Sequence, residues 1–152
     1  MMFTLRSEKL RSHRGQISFP GGHIDGVETA EQAALRELNE ETGVDLATVR
    51  VLGTLSEIYI PPSNAAVTPI VGILPVHDEY VISEAEVREI FHVNMDHFAL
   101  EKNIKMGPRQ MFGKTVDVPF WDVHAEVPLW GATAMMLNEL VWLVREYQGS
   151  ED

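Results

Sequence analysis

Two helical patterns separated by short β-branched runs predict an α/β (α+β) fold for this chain. The first observation is a strongly signalled helix in the first third of the sequence. The second is a set of short runs rich in Val, Ile, Thr and Tyr, divided by Gly and Pro. The third is an apolar pattern at helical spacing near the C-terminus. At 152 residues, one domain spanning 1–152 is the expectation. Apolar residues make up 45% of the chain, enough for a core at this size.

Met2-Phe3-Thr4-Leu5 reads as a strand that begins abruptly. The stretch from Arg6 to Gly15 then holds four of the chain's twelve Lys and Arg residues, with His13 and a single acid, Glu8. In so acidic a protein, this concentration serves either an anionic partner or the protein's own carboxylates. Charge alone leaves both open. Gln16 to Phe19 reads as a short strand entering the turn Pro20-Gly21-Gly22. That turn is backbone-permissive, so its amides and carbonyls are free to meet a phosphate or a metal.

The helix that follows has both ends written in the sequence. Thr29 is placed to cap it, with Gln32 as capping-box partner. Glu28 and Glu31 put negative charge at its positive end. Ala30, Ala33, Ala34, Leu35 and Leu38 are good helix formers, and Gly43 is the expected stop. A helix from Thr29 to Thr42 is predicted. At about 100° per residue, Glu37, Glu40 and Glu41 share one arc about 100° wide, flanked by Arg36. Three carboxylates on one face repel one another unless a cation sits among them. Hard oxygen donors of this kind suit Mg²⁺ or Mn²⁺. An isolated E-x-x-E-E is ordinarily a solvated acidic face. Here Gly22, Glu28, Arg36 and Gly43 stand at fixed offsets around it.

Val49 to Ile60 reads as a strand or hairpin arm, and Pro61 to Asn64 as a turn. Val67 to Val76 reads as a buried strand with irregular ends at Pro69 and Pro75. Tyr59 and the Pro-rich loop are read as packing rather than as a pocket wall. Glu84, Glu86 and Glu89 precede a strand at Phe91-His92-Val93 and a short helix from Met95 to Leu100. His77, His92, His97 and His124 show no metal-ligand spacing. Gln110 to Phe112 and Thr115 to Val123 read as two strands with a turn at Gly113-Lys114. Pro128 to Gly131 ends a loop or short strand. Ala132 to Tyr147 is predicted as a helix packing the core through Met135, Met136, Leu140, Leu143 and Val144, with Trp142 and Tyr147 nearby. There are no repeats or linkers.

The net charge of −11, from 12 basic and 23 acidic residues, argues against nucleic acid or an anionic membrane as the main partner. A small anionic substrate stays open if metal ions and the basic stretch offset the field. The absence of cysteine is weak support for a reducing compartment. No signal peptide or membrane-spanning run is present, so the expected location is cytoplasmic.

Gly22 to Val44 fills the pattern G-x5-E-x7-R-E-hydrophobic-x-E-E-x-G-hydrophobic without a gap. The stretch resembles the Nudix box. The resemblance implies the Nudix α/β/α sandwich, a mixed sheet between the box helix and the C-terminal helix. It also implies metal-dependent hydrolysis of a diphosphate linked to a nucleoside. Leu5-Arg6-Ser7, Leu10-Arg11, His13, Gly15-Gln16 and Ser18 to Gly22, followed by Asp25, resemble the extension of the coenzyme A diphosphatase branch, with Ile17 where Val is usual. Trp130 to Ala134 is similar to the segment opening the last helix of that family.

The resemblance implies roles residue by residue. Glu37 and Glu41 are the main Mg²⁺ or Mn²⁺ ligands, and Gly22 offers its carbonyl. Glu40 is a ligand or handles the attacking water. Arg36 belongs to the catalytic set and, with Glu28, holds the loop against the helix. Arg6, Arg11, His13 and Arg14 face the phosphates of a coenzyme A-like substrate, the 3′-phosphate included. A further glutamate outside the box binds metal or acts as base, with Glu86 and Glu89 as candidates. Two rival readings stay open. One is a Nudix hydrolase for ADP-ribose or a dinucleotide, and the other is a non-catalytic nucleotide-binding protein of this fold. The chain departs from the family at its start, where the usual preceding strand and turn are missing. A shortened start, another segment in that place, or a homodimer over the gap are the three explanations.

Overall fold

The structure is a computed structural model that describes residues 1–75, 79–111 and 113–149. His77 and the predicted strand ends Val76 and Phe112 lie outside the described residues. The chain divides into two compact units, Met2–Phe91 and Met1 with His92–Asp152. Helices and short, mainly antiparallel strands give the α+β class expected from the sequence.

The unit Met2–Phe91 opens with β1 (Met2–Arg6), which lies between β2 (Ile17–Ser18) and β7 (Val87–His92). Alternation along β1 sends Phe3 and Leu5 into the core, both fully buried. The Phe3 ring stacks on Phe19 and Phe91, with centroids 5.1 and 5.6 Å away. Thr4 opposes Ser18, and their hydroxyls meet at 3.0 Å. With a neighbour on each side, β1 is not an open edge.

Helix α1 (Ala30–Thr42) has the expected ends. The Thr29 hydroxyl accepts from the Gln32 amide at 3.2 Å, and the Gln32 side chain accepts from the Thr29 amide at 2.8 Å. Gly43 is left-handed at φ 71°, and its N–H donates to the Asn39 carbonyl at 2.8 Å. A Cβ at Gly43 would also stand 2.8 Å from the Val81 Cβ, so both conformation and space demand glycine. The chain returns along the end of this helix. Val81 N–H donates to the Thr42 carbonyl at 3.1 Å and Ser83 N–H to the Glu41 carbonyl at 3.2 Å.

Three strand predictions in this unit need correction. Val49 to Ile60 is two strands, β3 (Arg50–Thr54) and β4 (Ile58–Ile60), with different partners. Val67 to Val76 is likewise two, β5 (Ala65–Val67) and β6 (Ile70–Ile73), and it is not buried, since Gly72 and Ile73 are exposed. Pro69 explains the break, because it cannot donate to a ladder; its carbonyl accepts from Leu55 instead, at 3.0 Å. The strand placed at Phe91 to Val93 begins four residues earlier, at Val87. Exposed Arg88 and Glu89 disguised its alternation.

The second unit holds α2 (Met95–Ala99), β8 (Ile104–Met111), β9 (Lys114–Trp121), β10 (Leu129–Trp130) and α3 (Gly131–Gly149). β8 and β9 form a hairpin paired from Ile104↔Trp121 to Met111↔Lys114, longer at its open end than the predicted Gln110 to Phe112. Pro108 hid that length, but β8 is an outer strand of its sheet and tolerates proline. Pro119 in β9 lies beyond the two residues that β10 pairs, Phe120 and Trp121. The predicted core stripe of the last helix is displaced. α3 buries Thr133, Ala134, Leu137 and Val141, while Met135 and Leu143 are 62% and 42% exposed. The helix is apolar on more than one face, so periodicity alone chose the wrong one. Among the described residues, no helix is long and apolar enough to cross a membrane.

Candidate active site

Two groups of carboxylates meet at helix α1, and they differ in how they are satisfied. Arg36 organises the first. Its Nη2 and Nε donate to the two oxygens of Glu28 at 2.8 and 3.2 Å, a bidentate fork. Nη2 also donates to the His23 carbonyl at 2.9 Å, and Asp25 lies 3.7 Å away. Nη1 donates to Glu37 at 2.8 Å and Glu40 at 3.2 Å. Glu28 in turn accepts from the Asp25 amide at 2.7 Å. The hydrogen bond from Arg36 holds the Glu28 carboxyl below its usual range, and the bonds to Glu28 and Glu37 raise the Arg36 guanidinium. The loop is thereby fastened to the helix. Gly22 shows how closely: a Cβ there would lie 2.2 Å from Glu37 Oε1.

The second group is Glu37, Glu41 and Glu86, each of which offers an oxygen within 4.8 Å of the others. Glu41 is only 3% exposed, and its Oε2 is buried without a hydrogen-bond partner. Burial pushes its carboxyl up to about 7. The charges of Glu37 and Glu86 push the same way, while Arg6 and the Gly21 amide oppose them.

Glu86 reaches this helix from a distant stretch of chain through backbone pairing. Its N–H donates to the Ser83 carbonyl at 2.9 Å, and its carbonyl accepts from the Ser7 N–H at 2.8 Å. The Ser7 hydroxyl adds a bond to the Glu84 carbonyl at 3.3 Å. Ser7 and Ser83 are positioning groups that sequence reasoning did not identify, and the Gly21 amide, expected to meet a phosphate or a metal, bonds Glu41 instead. Ser7 lay inside the quoted extension, but its target did not.

All three carboxylates line a cleft of about 380 Å³ together with Arg6, Leu10, Gly22, Arg36 and Glu40. Glu40 stands apart from the triad: its side chain is 54% exposed and is held by Arg36. Of the basic stretch, Arg6 lines the cleft, whereas Arg11, His13 and Arg14 are exposed and do not. His13 sits at φ 53° with Nδ1 3.2 Å from the Gln16 side chain. Glu89 is exposed on β7, away from the cleft lining.

The donor set fits a small, hard divalent cation. Gathering three carboxylates around a buried, unpartnered oxygen costs on the order of several kcal/mol. A cation there offsets that cost, and all-oxygen donors favour a hard divalent cation over softer metals. Glu37, Glu41 and Glu86 are the residues that would hold it.

Residues 2–112 match the NUDIX domain family. The chain is 31% identical over 159 residues to Nudix hydrolase 3 of Caenorhabditis elegans, covering 95% of this chain and 66% of that protein. It is 33% identical over 149 residues to the Nudix hydrolase NudL of Citrobacter koseri, covering 92% of this chain and 72% of that one. The peroxisomal coenzyme A diphosphatase NUDT7 of Mus musculus is 41% identical over 99 residues, covering 64% of this chain and 42% of that protein. Among solved structures, the Nudix hydrolase RenU of M. smegmatis superposes with a TM-score of 0.59 at 19% identity, covering 98% of this chain and 74% of that one. The last likeness shows the fold. With the box helix, its fastened loop and the matching domain all in place, the chain belongs to the NUDIX domain family, among the Nudix hydrolases of diphosphate substrates.

Proposed function

We propose that the protein hydrolyses the diphosphate bond of coenzyme A or a derivative, with Mg²⁺ or Mn²⁺, giving 3′-phosphoadenosine 5′-phosphate and 4′-phosphopantetheine. The observation that carries this reading is the presence of Arg6 and Leu10, from the basic stretch, in the same cleft as Glu37, Glu41 and Glu86. The likeness to a coenzyme A diphosphatase over 64% of the chain supports it.

A diphosphate repels a nucleophile, and the barrier falls when positive charge meets its oxygens. A bound divalent cation would supply that charge and lower the pKa of water. Glu37, Glu41 and Glu86 would hold the cation, with the Gly22 carbonyl as its backbone ligand. Water adds to one phosphorus as the bridging P–O bond breaks, and Glu40 takes the proton. The exposure of Glu40 and its tether to Arg36 suit that task, since it is neither buried nor consumed in the triad. Arg36 and Glu28 keep the loop against the helix. Arg11, His13 and Arg14 meet the far phosphates, including the 3′-phosphate, from outside the cleft lining.

The test is a substrate panel with either metal: coenzyme A, its 3′-dephospho form, ADP-ribose and a dinucleoside polyphosphate. Coenzyme A turned over with the highest kcat/KM is the expected result. Because Arg11, His13 and Arg14 do not line the cleft, a broader nucleoside diphosphate substrate is the second reading. Preference for ADP-ribose or the dinucleotide would establish it. No phosphate-ester product from any of the four would establish a binding protein instead.

A further inference from the structure

Arg6 is the last residue of β1, and its backbone is held on both sides of the peptide. Its N–H donates to the Gln16 carbonyl at 3.0 Å, and its carbonyl accepts from the Gly15 N–H at 3.1 Å. The next residue, Ser7, is 4% exposed and bonded to the backbone of Glu86. One strand end therefore delivers a cation and aims a carboxylate into the same cleft. The guanidinium is half-buried, and its Nε is buried without a hydrogen-bond partner. Its attraction for Glu41 acts through space. Among the described residues, the other cation in this cleft, Arg36, is already committed to Glu28, Glu37, Glu40 and the His23 carbonyl.

We propose that Arg6 is a positioning residue that serves as the standing counter-charge of the Glu37–Glu41–Glu86 cluster, stabilising the carboxylates before metal arrives and weakening metal binding in return. The inference rests on the reading of the cluster as a metal site. Like charges crowded in a partly buried cleft repel, and a fixed positive group nearby reduces that repulsion. The same group repels an incoming dication, so geometry kept ready is exchanged for affinity. A residue that only grips substrate phosphate would leave metal binding without substrate unchanged.

The experiment is a Mn²⁺ titration of the purified full chain without substrate at pH 8.5, read from the electron paramagnetic resonance signal of free Mn²⁺. Unsubstituted protein, Arg6→Gln and Arg6→Lys are compared, each also melted with and without Mn²⁺. Arg6→Gln is expected to bind Mn²⁺ more tightly, by roughly three- to tenfold for loss of one charge near the site. Its metal-free Tm should fall, and the gap should close in saturating Mn²⁺. Arg6→Lys should behave like the unsubstituted protein on both readouts. An Arg6→Gln protein that folds only with Mn²⁺ supports the proposal, and one that folds in neither state overturns it in favour of a structural role. Equal or weaker Mn²⁺ binding by Arg6→Gln, or the same change in Arg6→Lys, also overturns it. Absence of Mn²⁺ binding by the unsubstituted protein would overturn the metal reading and this inference together.

Discussion

The two carboxylate groups that meet at α1 differ in what satisfies them. Glu28 is held by a bidentate arginine and a backbone amide, and its carboxyl is correspondingly acidic. Glu41, on the helix itself, is more deeply buried, bonded on one side by an amide, and left with an orphan oxygen facing two further acids. A satisfied acid fixes structure, and an unsatisfied one costs stability until a ligand supplies the missing charge. Glu37 belongs to both groups: Arg36 binds one of its oxygens, and it also stands in the triad. That sharing couples the scaffold to the cleft.

The sharpest way to break this comparison is to neutralise the unsatisfied side. Glu41→Gln is expected to reduce kcat by on the order of 10³ or more, since preorganised charge supplies much of the rate in such sites. Circular dichroism should show the fold intact, and near-normal turnover in steady-state assays would remove Glu41 from the site. Next in size is the seam between the groups. Gly22→Ala places a methyl where Glu37 Oε1 now stands, so Mn²⁺ affinity should fall by roughly tenfold or more while the melting temperature barely moves. Calorimetric titration beside a melting curve separates the two.

The satisfied side predicts the opposite pattern. Arg36→Met leaves Glu28 without its partner and releases the loop. The melting temperature should fall by several degrees in the absence of metal, and added Mg²⁺ should restore only part of it. Full restoration would show that Arg36 serves the cation and not the loop.

The smallest effect is in pH. A raised carboxyl binds its proton more tightly in the folded chain than in the unfolded one, whose carboxyl titrates near 4.5. Stability from Glu41 is therefore fully present below about 4.5 and is lost as pH rises to about 7, by roughly 3 kcal/mol at most. Urea unfolding of the metal-free protein should show this fall, and Glu41→Gln should lack it. Mn²⁺ affinity should rise over the same window, because the cation displaces that proton.

The helix was legible in the sequence because its determinants are local. Thr29, Gln32 and Gly43 act within three or four residues of their partners. The pairing of Glu28 with Arg36 was legible only through the spacing of the box. The spacing of Arg36 and Glu40 made their pairing legible, but not that Glu37 and Glu41 gather with Glu86 while Glu40 faces solvent. A helical wheel gives angles and not the side from which the rest of the chain arrives. Glu86 and Glu89 were indistinguishable for the same reason, because the choice depends on Ser7 and Ser83. Proline misled the strand reading at Pro108, where an outer strand accommodates it, and α3 hid its buried face behind Met135 and Leu143.

The most direct test is anomalous diffraction from a crystal of the unsubstituted protein soaked in Mn²⁺. A peak within coordination distance of oxygens from Glu37, Glu41 and Glu86 is the predicted result. Full soaking with no peak beside those three side chains, or a peak held by other residues, would contradict the account.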